Sequence, residues 1–408
     1  MKPSGIEWIG DIPDDWEVRK LLSLFKEHKD RNKNLREQNL LSLSYGKIKR
    51  KDINNNDGLL PASFETYNIV ENGDIVFRLT DLQNDKRSLR TGIVTQRGII
   101  TSAYVTIRPK IKLDSRFYHY LYHMYDICKV FYGMGDGVRQ GMGFEDLKNI
   151  PTLIPPLKTQ EIIADYLDEK CGEIDATIAK QKESIEKLKA YKQSLISETV
   201  TKGLDKSASL KPSGIDYLGD IPSHWEIKKL KFLVALIDNK TKDGHSISLE
   251  NIESGTGKLI ETENTYDGEG ISFKENDLLF GKLRPYLAKV YLSALKGRAL
   301  GDFYVMRANK CINPNFLKFV LLSDWFIKIV DSSTYGTKMP RASWDFTGGM
   351  RIPLPPISEQ DCISSYLETK CSEVDTFIIE KQNIIQKLDA YKKSLIFECV
   401  TGKRDLWV

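Results

Sequence analysis

The chain has 408 residues, of which 41% are hydrophobic and 28% charged, and its formal net charge is +4. This composition is ordinary for a soluble protein, the length allows two to four domains, and no run approaches the ~18–20 apolar residues of a membrane span. The first ten residues lack an apolar stretch, so no signal peptide is expected. None of the six cysteines forms a C-x-x-C pair, which argues against a disulfide framework or zinc knuckle and predicts a cytoplasmic location.

The opening block of the chain occurs twice. Thirteen of twenty positions are identical between Lys2–Leu21 and Lys211–Leu230. A second repeated block begins at Leu157 and again at Ile357. The segments between these blocks, here called the first and second inserts, barely match each other. A repeated frame predicts pseudo-two-fold architecture, and unlike inserts predict two different binding surfaces.

The inserts nevertheless share an order of predicted elements. The first has strand-like runs at Ile75–Phe77 and Ile99–Ile107, rich in β-branched residues, followed by a helical segment over Arg116–Phe131. The second repeats this order with strands at Leu278–Phe280 and Phe303–Met306 and a helical segment over Asn315–Val330. Both inserts are therefore predicted to have one mixed α and β fold.

Each insert ends at a Pro-Pro pair, and a long helix is predicted to follow. Apolar residues then recur at steps of four, seven, three and seven, which fits the a and d positions of a heptad seam. Polar residues fill the gaps, with Gln181 and Lys192 in the first copy and Lys381 and Lys392 in the second. Two such helices in one chain are expected to pair with each other. The predicted pairing residues are Ile174, Ile178, Ile185, Leu188, Leu195, Val374, Ile378, Ile385, Leu388 and Leu395.

Four apolar residues near the start of the first helix have two interpretations. Ile162, Ile163, Tyr166 and Leu167 could dock another protein, or they could pack on the adjacent insert. The sequence leaves both open.

Basic and hydrogen-bonding residues cluster in the predicted loops, and Lys and Arg outnumber Asp and Glu in both inserts. Such side chains can bind phosphates or base edges, although a solvated surface has the same composition. Arg139 and Lys338 occupy equivalent positions beside glycine, which favours a functional role for them. The candidate DNA-binding residues are Tyr45, Lys47, Lys49, Arg50, Arg78, Gln83, Lys86, Arg87, Arg90, Arg139, Gln140, Lys258, Lys282, Arg284, Tyr286, Lys338 and Arg341.

Signatures of catalysis are weak. The chain has neither an N-P-P-Y methyltransferase loop nor a G-x-x-x-x-G-K-[ST] phosphate loop. Asp14 and Glu17 are spaced too tightly for a nuclease carboxylate cluster. His119 and His123 lie four residues apart but lack the glutamate and third ligand of a zinc site. No catalytic residue, bound cofactor or metal site is predicted.

Three motifs, each present twice, resemble those of type I restriction–modification specificity subunits. They are G-D-I-P-x-x-W-E (Gly10–Glu17 and Gly219–Glu226), P-P-x-x-x-Q-x-x-I (Pro155–Ile163 and Pro355–Ile363) and K-L-x-A-Y-K-x-S-L-I (Lys187–Ile196 and Lys387–Ile396). Their order covers essentially the whole chain.

The resemblance implies an α+β fold: two tandem target-recognition domains separated by two long helices that pair as an antiparallel coiled coil. The predicted segments are 1–156 and 209–356 for the recognition domains and 157–208 and 357–408 for the helices. Each domain would read half of a bipartite, asymmetric site in double-stranded DNA, and the helices would set the gap.

The resemblance also implies partners. Two adenine-N6 methyltransferase subunits would dock on the helices, and translocating endonuclease subunits would join the complex. S-adenosylmethionine, ATP and Mg²⁺ would belong to those partners, and no membrane is involved. Two alternatives remain open: a coiled-coil scaffold whose inserts bind proteins, and a nuclease or methyltransferase active alone.

Overall fold

The structure is a computed structural model, and it describes residues 1–53, 61, 63–82, 89–133, 141–260, 268–336 and 338–406. The chain forms two compact units. Unit 1 comprises Met1–Lys180 and Asn383–Val408, and unit 2 comprises Gln181–Gln382. Each unit contains one insert together with part of each long helix, so the units do not follow the four predicted sequence segments, whose boundaries stay a prediction.

Two long helices and five short ones occur in the described chain. The long helices are α3, with 46 residues, and α7, with 44. Each begins directly after a Pro-Pro pair, because proline ends the preceding strand and the sequence then contains no proline until the helix ends. The helices are α1 (Ser115–Ile127), α2 (Phe144–Leu147), α3 (Leu157–Lys202), α4 (Pro314–Leu322), α5 (Asp324–Ser332), α6 (Trp344–Gly349) and α7 (Ile357–Val400).

Unit 1 is built around a four-stranded antiparallel sheet of order β4-β11-β8-β9. Four two-stranded antiparallel pairs surround it: β1 with β2, β3 with β12, β5 with β6, and β7 with β10. The strands are β1 (Lys2–Pro3), β2 (Asp11–Ile12), β3 (Glu17–Lys20), β4 (Phe25–Glu27), β5 (Leu41–Ser44), β6 (Lys47–Arg50), β7 (Asn68–Val70), β8 (Ile75–Phe77), β9 (Thr91–Ile93), β10 (Gly98–Ile100), β11 (Val105–Pro109) and β12 (Pro151–Ile154).

Unit 2 contains the equivalent sheet, of order β16-β23-β20-β21, and a second four-stranded sheet of order β17-β19-β22-β18. The repeated opening block again forms short pairs, β13 with β14 and β15 with β24. The strands are β13 (Leu210–Pro212), β14 (Asp220–Pro222), β15 (Glu226–Lys229), β16 (Val234–Ile237), β17 (Lys240–Thr241), β18 (His245–Ile247), β19 (Gly270–Phe273), β20 (Asp277–Gly281), β21 (Val290–Leu292), β22 (Gly297–Ala299), β23 (Phe303–Ala308) and β24 (Arg351–Leu354).

Two predicted elements were each wrong in one respect. Ile99–Ile107 is not one strand, because a turn at residues 101–104 separates β10 from β11, and these belong to different sheets. Asn315–Val330 is not one helix, because the extended backbone of Ser323 (ψ 144°) ends α4 and begins α5. Both breaks fall at short polar pairs, Thr101-Ser102 and Ser323-Asp324, between apolar runs, and such a pair also occurs within continuous strands and helices.

The two inserts share an ion pair with a buried carboxylate at equivalent places in their central sheets. Asp74, only 2% exposed, accepts two hydrogen bonds of 2.7 Å from Arg108. Asp277, 1% exposed, accepts hydrogen bonds of 2.8 and 2.6 Å from Arg307. This fork geometry satisfies a carboxylate that burial would otherwise penalise. The pair supports the prediction that both inserts have one fold.

The repeated motifs attach each long helix to its insert. Gln160 is buried and donates from Nε2 to Pro155 O at 2.8 Å, while its Oε1 accepts from the amide of Asp114. Gln360 makes the equivalent bonds to Pro355 O and the amide of Asn313. The glutamine of the P-P-x-x-x-Q motif therefore fixes where the helix leaves the domain.

The opening block packs against the end of a long helix in each unit. Gly402, with φ of +69°, lies so close to Pro13 that a Cβ would approach its Cδ to 2.4 Å, and Trp16 is fully buried beside it. In unit 2, a Cβ on Gly203 would lie 3.0 Å from the ring of Trp225. The glycine at each position permits both the left-handed backbone and the close approach.

The long helices pair in antiparallel fashion, as predicted. In unit 1 the first half of α3 meets the last part of α7, and Lys392 Nζ donates to Asp175 Oδ1 at 2.6 Å. In unit 2 the last part of α3 meets the first half of α7, where Lys192 Nζ donates to Asp375 Oδ1 at 2.6 Å. Lys381 donates to Gln181 at 3.2 Å near the middle of both sequences. All ten predicted pairing residues are buried or half-buried.

The apolar residues at the start of α3 pack inside unit 1. Ile163 and Leu167 are at most 1% exposed and belong to a core that includes Trp16 and Phe117. Of the two interpretations that the sequence left open, packing on the insert therefore holds for these two residues, and they are not available to a partner.

Candidate nucleic-acid interface

Two loops of unit 2 form one surface beside the central sheet. The amide of Arg284 donates to Pro340 O at 2.8 Å, and the amide of Ala342 donates to Lys282 O at 2.9 Å. These bonds hold the loop after β20 against the segment that precedes α6. Lys282, Arg284, Tyr286, Lys338 and Arg341, which the sequence singled out, are thereby brought together.

Side chains on this surface differ in how freely they could meet a ligand. Arg284 and Lys338 are exposed, and Tyr286 is 53% exposed on a short turn flanked by residues with left-handed backbone, Arg284 (φ 50°) and Ala288 (φ 47°). Cations bind phosphates or guanine, and tyrosine rings stack on bases. The surface has the chemistry to bind nucleic acid.

Lys282 and Arg341 have a structural partner on the same surface. Arg341 donates to both carboxylate oxygens of Asp302, at 3.1 and 2.9 Å. Lys282 Nζ lies 4.0 Å from the same carboxylate and 5.5 Å from the centre of the Tyr304 ring. Asp302 therefore holds two of the predicted cations in place.

Tyr335 and Met339 were not predicted, yet they are 67% and 55% exposed at this surface. The isolated bridge between Tyr335 and Arg341 brings them there. In the sequence, the available signal was that both residues lie close to Gly336, in the loop that carries Lys338. The backbone of Gly336 has φ of 95° in the structure. An aromatic or apolar side chain exposed beside cations is typical of nucleic-acid contacts.

Unit 1 carries the equivalent loop junction. The amide of Met142 donates to Leu79 O at 2.9 Å, just as Ala342 donates to Lys282 O in unit 2. Arg78 is half-buried at this junction. Five predicted residues of the same loops lie outside the described residues: Gln83, Lys86, Arg87, Arg139 and Gln140.

Arg90 was predicted to bind DNA, and its burial contradicts that prediction. The residue is fully buried, and its guanidinium donates to the carbonyls of Arg78, Thr80 and Asp81 at 3.2, 2.7 and 3.2 Å. Its Nε donates to Tyr132 Oη at 3.1 Å. Arg90 therefore supports the loop from inside, and sequence alone could not distinguish a supporting arginine from a contacting one.

The β5–β6 hairpin of unit 1 carries four more predicted residues. Its turn exposes 79% of Tyr45, and Lys49 and Arg50 are also exposed. Lys47 points to the long helix instead, with Nζ 3.3 Å from Asp175 Oδ2. In unit 2, Lys258 makes the same kind of contact to Asp375 Oδ2 at 2.7 Å.

The histidine pair of α1 lies beneath this hairpin. His119 and His123 have ring centres 6.0 Å apart. Burial, with the neighbouring His123, lowers the pKa of His119 to about 3, and burial with the nearby Lys392 and Lys393 lowers the pKa of His123 to about 4. Neutral packed imidazoles fit this environment. Within the described ranges, no group of three or more His, Cys, Asp or Glu is arranged to hold a metal ion.

Comparisons with known proteins agree on one family. Residues 13–189 match the family model for the type I restriction modification DNA specificity domain. The chain is 25% identical, over 96% of its length and 93% of the relative, to the type I restriction enzyme MjaVIII specificity subunit of Methanocaldococcus jannaschii. It is 24% identical, over 63% of each chain, to the type I restriction enzyme EcoDI specificity subunit of Escherichia coli.

The chain is thus similar over nearly its whole length to specificity subunits of type I restriction–modification systems, and residues 13–189 match their DNA specificity domain. Its fold agrees with a chain solved in work on assembly and conformational transition of the type I R-M system, at TM-score 0.71 and 14% identity, covering 97% of this chain and 100% of the other. The HsdS subunit from Thermoanaerobacter tengcongensis gives 0.52 and 15%, covering 97% and 98%.

These similarities indicate the general role of the chain. Specificity subunits confer DNA sequence specificity on a restriction–modification complex and are not catalytic; catalysis lies in partner subunits. The predictions of a DNA-recognition role and of a non-catalytic chain are thereby confirmed. No described helix is both long and apolar enough to cross a membrane.

Proposed function

We propose that each insert of this specificity subunit reads one half of a bipartite, asymmetric DNA site. One observation carries the proposal: a single loop junction is built twice on equivalent sheets but bears different side chains. Unit 2 presents Arg284, Tyr286 and Lys338 at this junction, whereas the described part of the unit 1 junction carries Arg78, Leu79 and Met142. Unlike side chains on a common scaffold are what two different half-sites require.

The long helices set the gap between the half-sites and dock two methyltransferase subunits. Support comes from an exposed stripe along each helix that is identical in both copies. Tyr191 is 53% exposed and Tyr391 is 50% exposed. The stripe comprises Lys187, Ala190, Tyr191, Ser194 and Glu198 in α3 and Lys387, Ala390, Tyr391, Ser394 and the half-buried Glu398 in α7.

Exposed positions in the middle of the same helices differ between copies, as Thr177 and Phe377 do. The identity of the stripe therefore does not follow from helix formation alone. A surface that occurs once in each unit fits a partner that binds twice. An exposed tyrosine between a cation and a carboxylate suits a protein interface with an aromatic anchor.

Restriction subunits join this core. S-adenosylmethionine, ATP and Mg²⁺ bind to the methyltransferase and restriction subunits, and this chain holds none of them. The complex works in the cytoplasm, and six unpaired cysteines suit that reducing compartment.

The experiment that tests the function is a methylation map. The chain is co-expressed with its methyltransferase subunit, and N6-methyladenine is located by single-molecule sequencing. A two-part motif with one fixed gap is expected. A stable co-purified complex that methylates no such motif and shows no salt-dependent duplex binding contradicts the proposal.

A further inference from the structure

One helix aspartate in each unit binds two lysines of different origin. In unit 1, Asp175 accepts from Lys392 of α7 at 2.6 Å and from Lys47 of the first insert at 3.3 Å. We call these three residues, with the equivalent set in unit 2, the two lysine bridges. That second set consists of Asp375, with Lys192 of α3 at 2.6 Å and Lys258 of the second insert at 2.7 Å. Each carboxylate thus joins both helices to one insert.

The two insert lysines follow glycines of the same backbone conformation, although the amino-acid sequences of the inserts barely match. Lys47 follows Gly46, which has φ of +75°, and Lys258 follows Gly257, which has φ of +74°. A Cβ on Gly257 would lie 3.3 Å from Val290 O. A left-handed glycine therefore turns each loop so that the next side chain meets the helix. Two unlike loops that place a lysine at equivalent aspartates indicate a shared requirement.

The contact between the two helices is partly shielded from water in each bridge, whereas the insert lysines are more open, with Lys47 67% and Lys258 56% exposed. The side chains of Lys192 and Asp375 are 10% and 16% exposed, and those of Lys392 and Asp175 are 23% and 38% exposed. Burial raises the pKa of both aspartates, but the lysines outweigh it and the pKa of each ends below its usual value. Removing one partner of a shielded ion pair costs more stability than removing one partner of an ion pair at the surface.

Two neighbouring ion pairs each join residues of a single helix. Lys170 binds Glu173 at 3.0 Å and Lys370 binds Glu373 at 2.8 Å, each within one helix. Glu173 and Glu373 each lie two residues before a bridging aspartate and carry the same charge, so they offer matched controls.

We propose that Asp175 and Asp375 are positioning residues that fix each insert against the helix pair and so make the complex selective for one gap length. The proposal rests on the proposed function, and it reassigns Lys47 and Lys258 from DNA contact to attachment. An insert freed from its helix still binds its half-site, but it tolerates half-sites displaced by a base pair.

The test measures methylation by the assembled complex on duplexes whose gap is the preferred length or one base pair shorter or longer. D175N and D375N are expected to reduce the preference for the correct gap about tenfold, a size typical of coupled contacts. The controls E173Q and E373Q should keep it. Gap preference equal to that of the unaltered protein in both aspartate variants overturns the proposal.

A double-mutant cycle separates attachment from DNA contact. K258M should cause part of the loss seen in D375N, which also removes the bond of Lys192, and K258M/D375N should cause no loss beyond that of D375N. If Lys258 instead contacted a phosphate, K258M would lower the slope of log affinity against log salt by about one, and its effect would add to that of D375N. That outcome also overturns the proposal.

Amide hydrogen exchange of the full chain measures how firmly the insert is held to the helices, in the absence of DNA. D375N should speed amide exchange in residues 253–258 about tenfold, and E373Q should not. Unchanged exchange refutes positioning whatever the DNA results are. If exchange rises but the unaltered complex methylates no two-part motif, the attachment stands and the proposed function fails.

Discussion

The guanidinium of Arg90 lies inside unit 1, where it satisfies three backbone carbonyls of the loop that carries Arg78. A buried carbonyl left without a donor costs about 1–3 kcal/mol. The loop conformation therefore depends on a residue that does not reach the surface. In unit 2 the carboxylate of Asp302 serves a related purpose by holding Arg341.

Arg90→Met should lower the free energy of unfolding by about 3 kcal/mol, because several buried acceptors lose their donor. Arg50→Met, at an exposed position, should change it by no more than about 0.5 kcal/mol. Urea unfolding of the two variants measures both. Equal, small effects would contradict the supporting role of Arg90.

His119 and His123 should make unit 1 sensitive to acid. Their pKa values of about 3 and about 4 lie below the ~6.5 of an unfolded histidine. The unfolded chain therefore binds more protons below pH 6.5, so stability is full above that pH and falls as pH drops towards 4. From pH 7.5 to 5, each histidine should remove about 2 kcal/mol.

The variant H119Q/H123Q provides the comparison for this prediction. Lys392, Lys393 and Asp175 also act on His123, but they remain in the variant and cancel in the difference. The melting temperature of the unaltered protein should fall more steeply between pH 7.5 and 5 than that of H119Q/H123Q. Parallel curves would show that the histidines do not titrate as burial dictates.

At the scale of elements, the long helices were the most predictable part of the chain. Their heptad pattern predicted Ile174, Ile178 and Val374 as pairing residues, and all three are buried. The polar residues that interrupt this pattern have a role that hydrophobic periodicity does not indicate. Lys192 and Lys392 each bond to an aspartate of the facing helix.

Removing seven residues from each helix, Thr177–Glu183 and Phe377–Asn383, should shorten the preferred gap. The seven residues keep the heptad register and remove about 10 Å of helix at 1.5 Å per residue. At about 3.4 Å per base pair, the gap should shrink by about three pairs. The methylation map of the altered complex measures this change.

A matched control removes seven residues from only one helix, which misaligns the seam and should abolish assembly. A folded, active complex that keeps its original gap after the double deletion would show that the helices do not set the spacing.

At the scale of the whole molecule, specificity should be modular. Replacing residues 22–156 by the corresponding insert of a relative with a known site should change one half of the methylated motif and leave the other half and the gap intact. The physical reason is that the opening blocks and the glutamine anchors Gln160 and Gln360 attach each insert to the same frame. Methylation mapping of the chimera tests this, and a motif changed in both halves would contradict it.

The sequence by itself determined the repeated frame, the two long helices and the resemblance to specificity subunits, because heptad periodicity and duplicated motifs are local patterns that appear in the order of residues. It also predicted one fold for both inserts, which the equivalent sheets and the ion pairs of Asp74 with Arg108 and Asp277 with Arg307 bear out. Here local pattern and final structure agree.

Tertiary structure alone decided where each cation lies. Arg90 is buried beneath its loop, Lys47 and Lys258 each bond to an aspartate of a long helix, and Arg284 and Lys338 are exposed. All five read alike in sequence, as basic residues in polar loops. Their roles differ because burial and the position of a carboxylate on a distant segment are set by contacts between residues far apart in the chain.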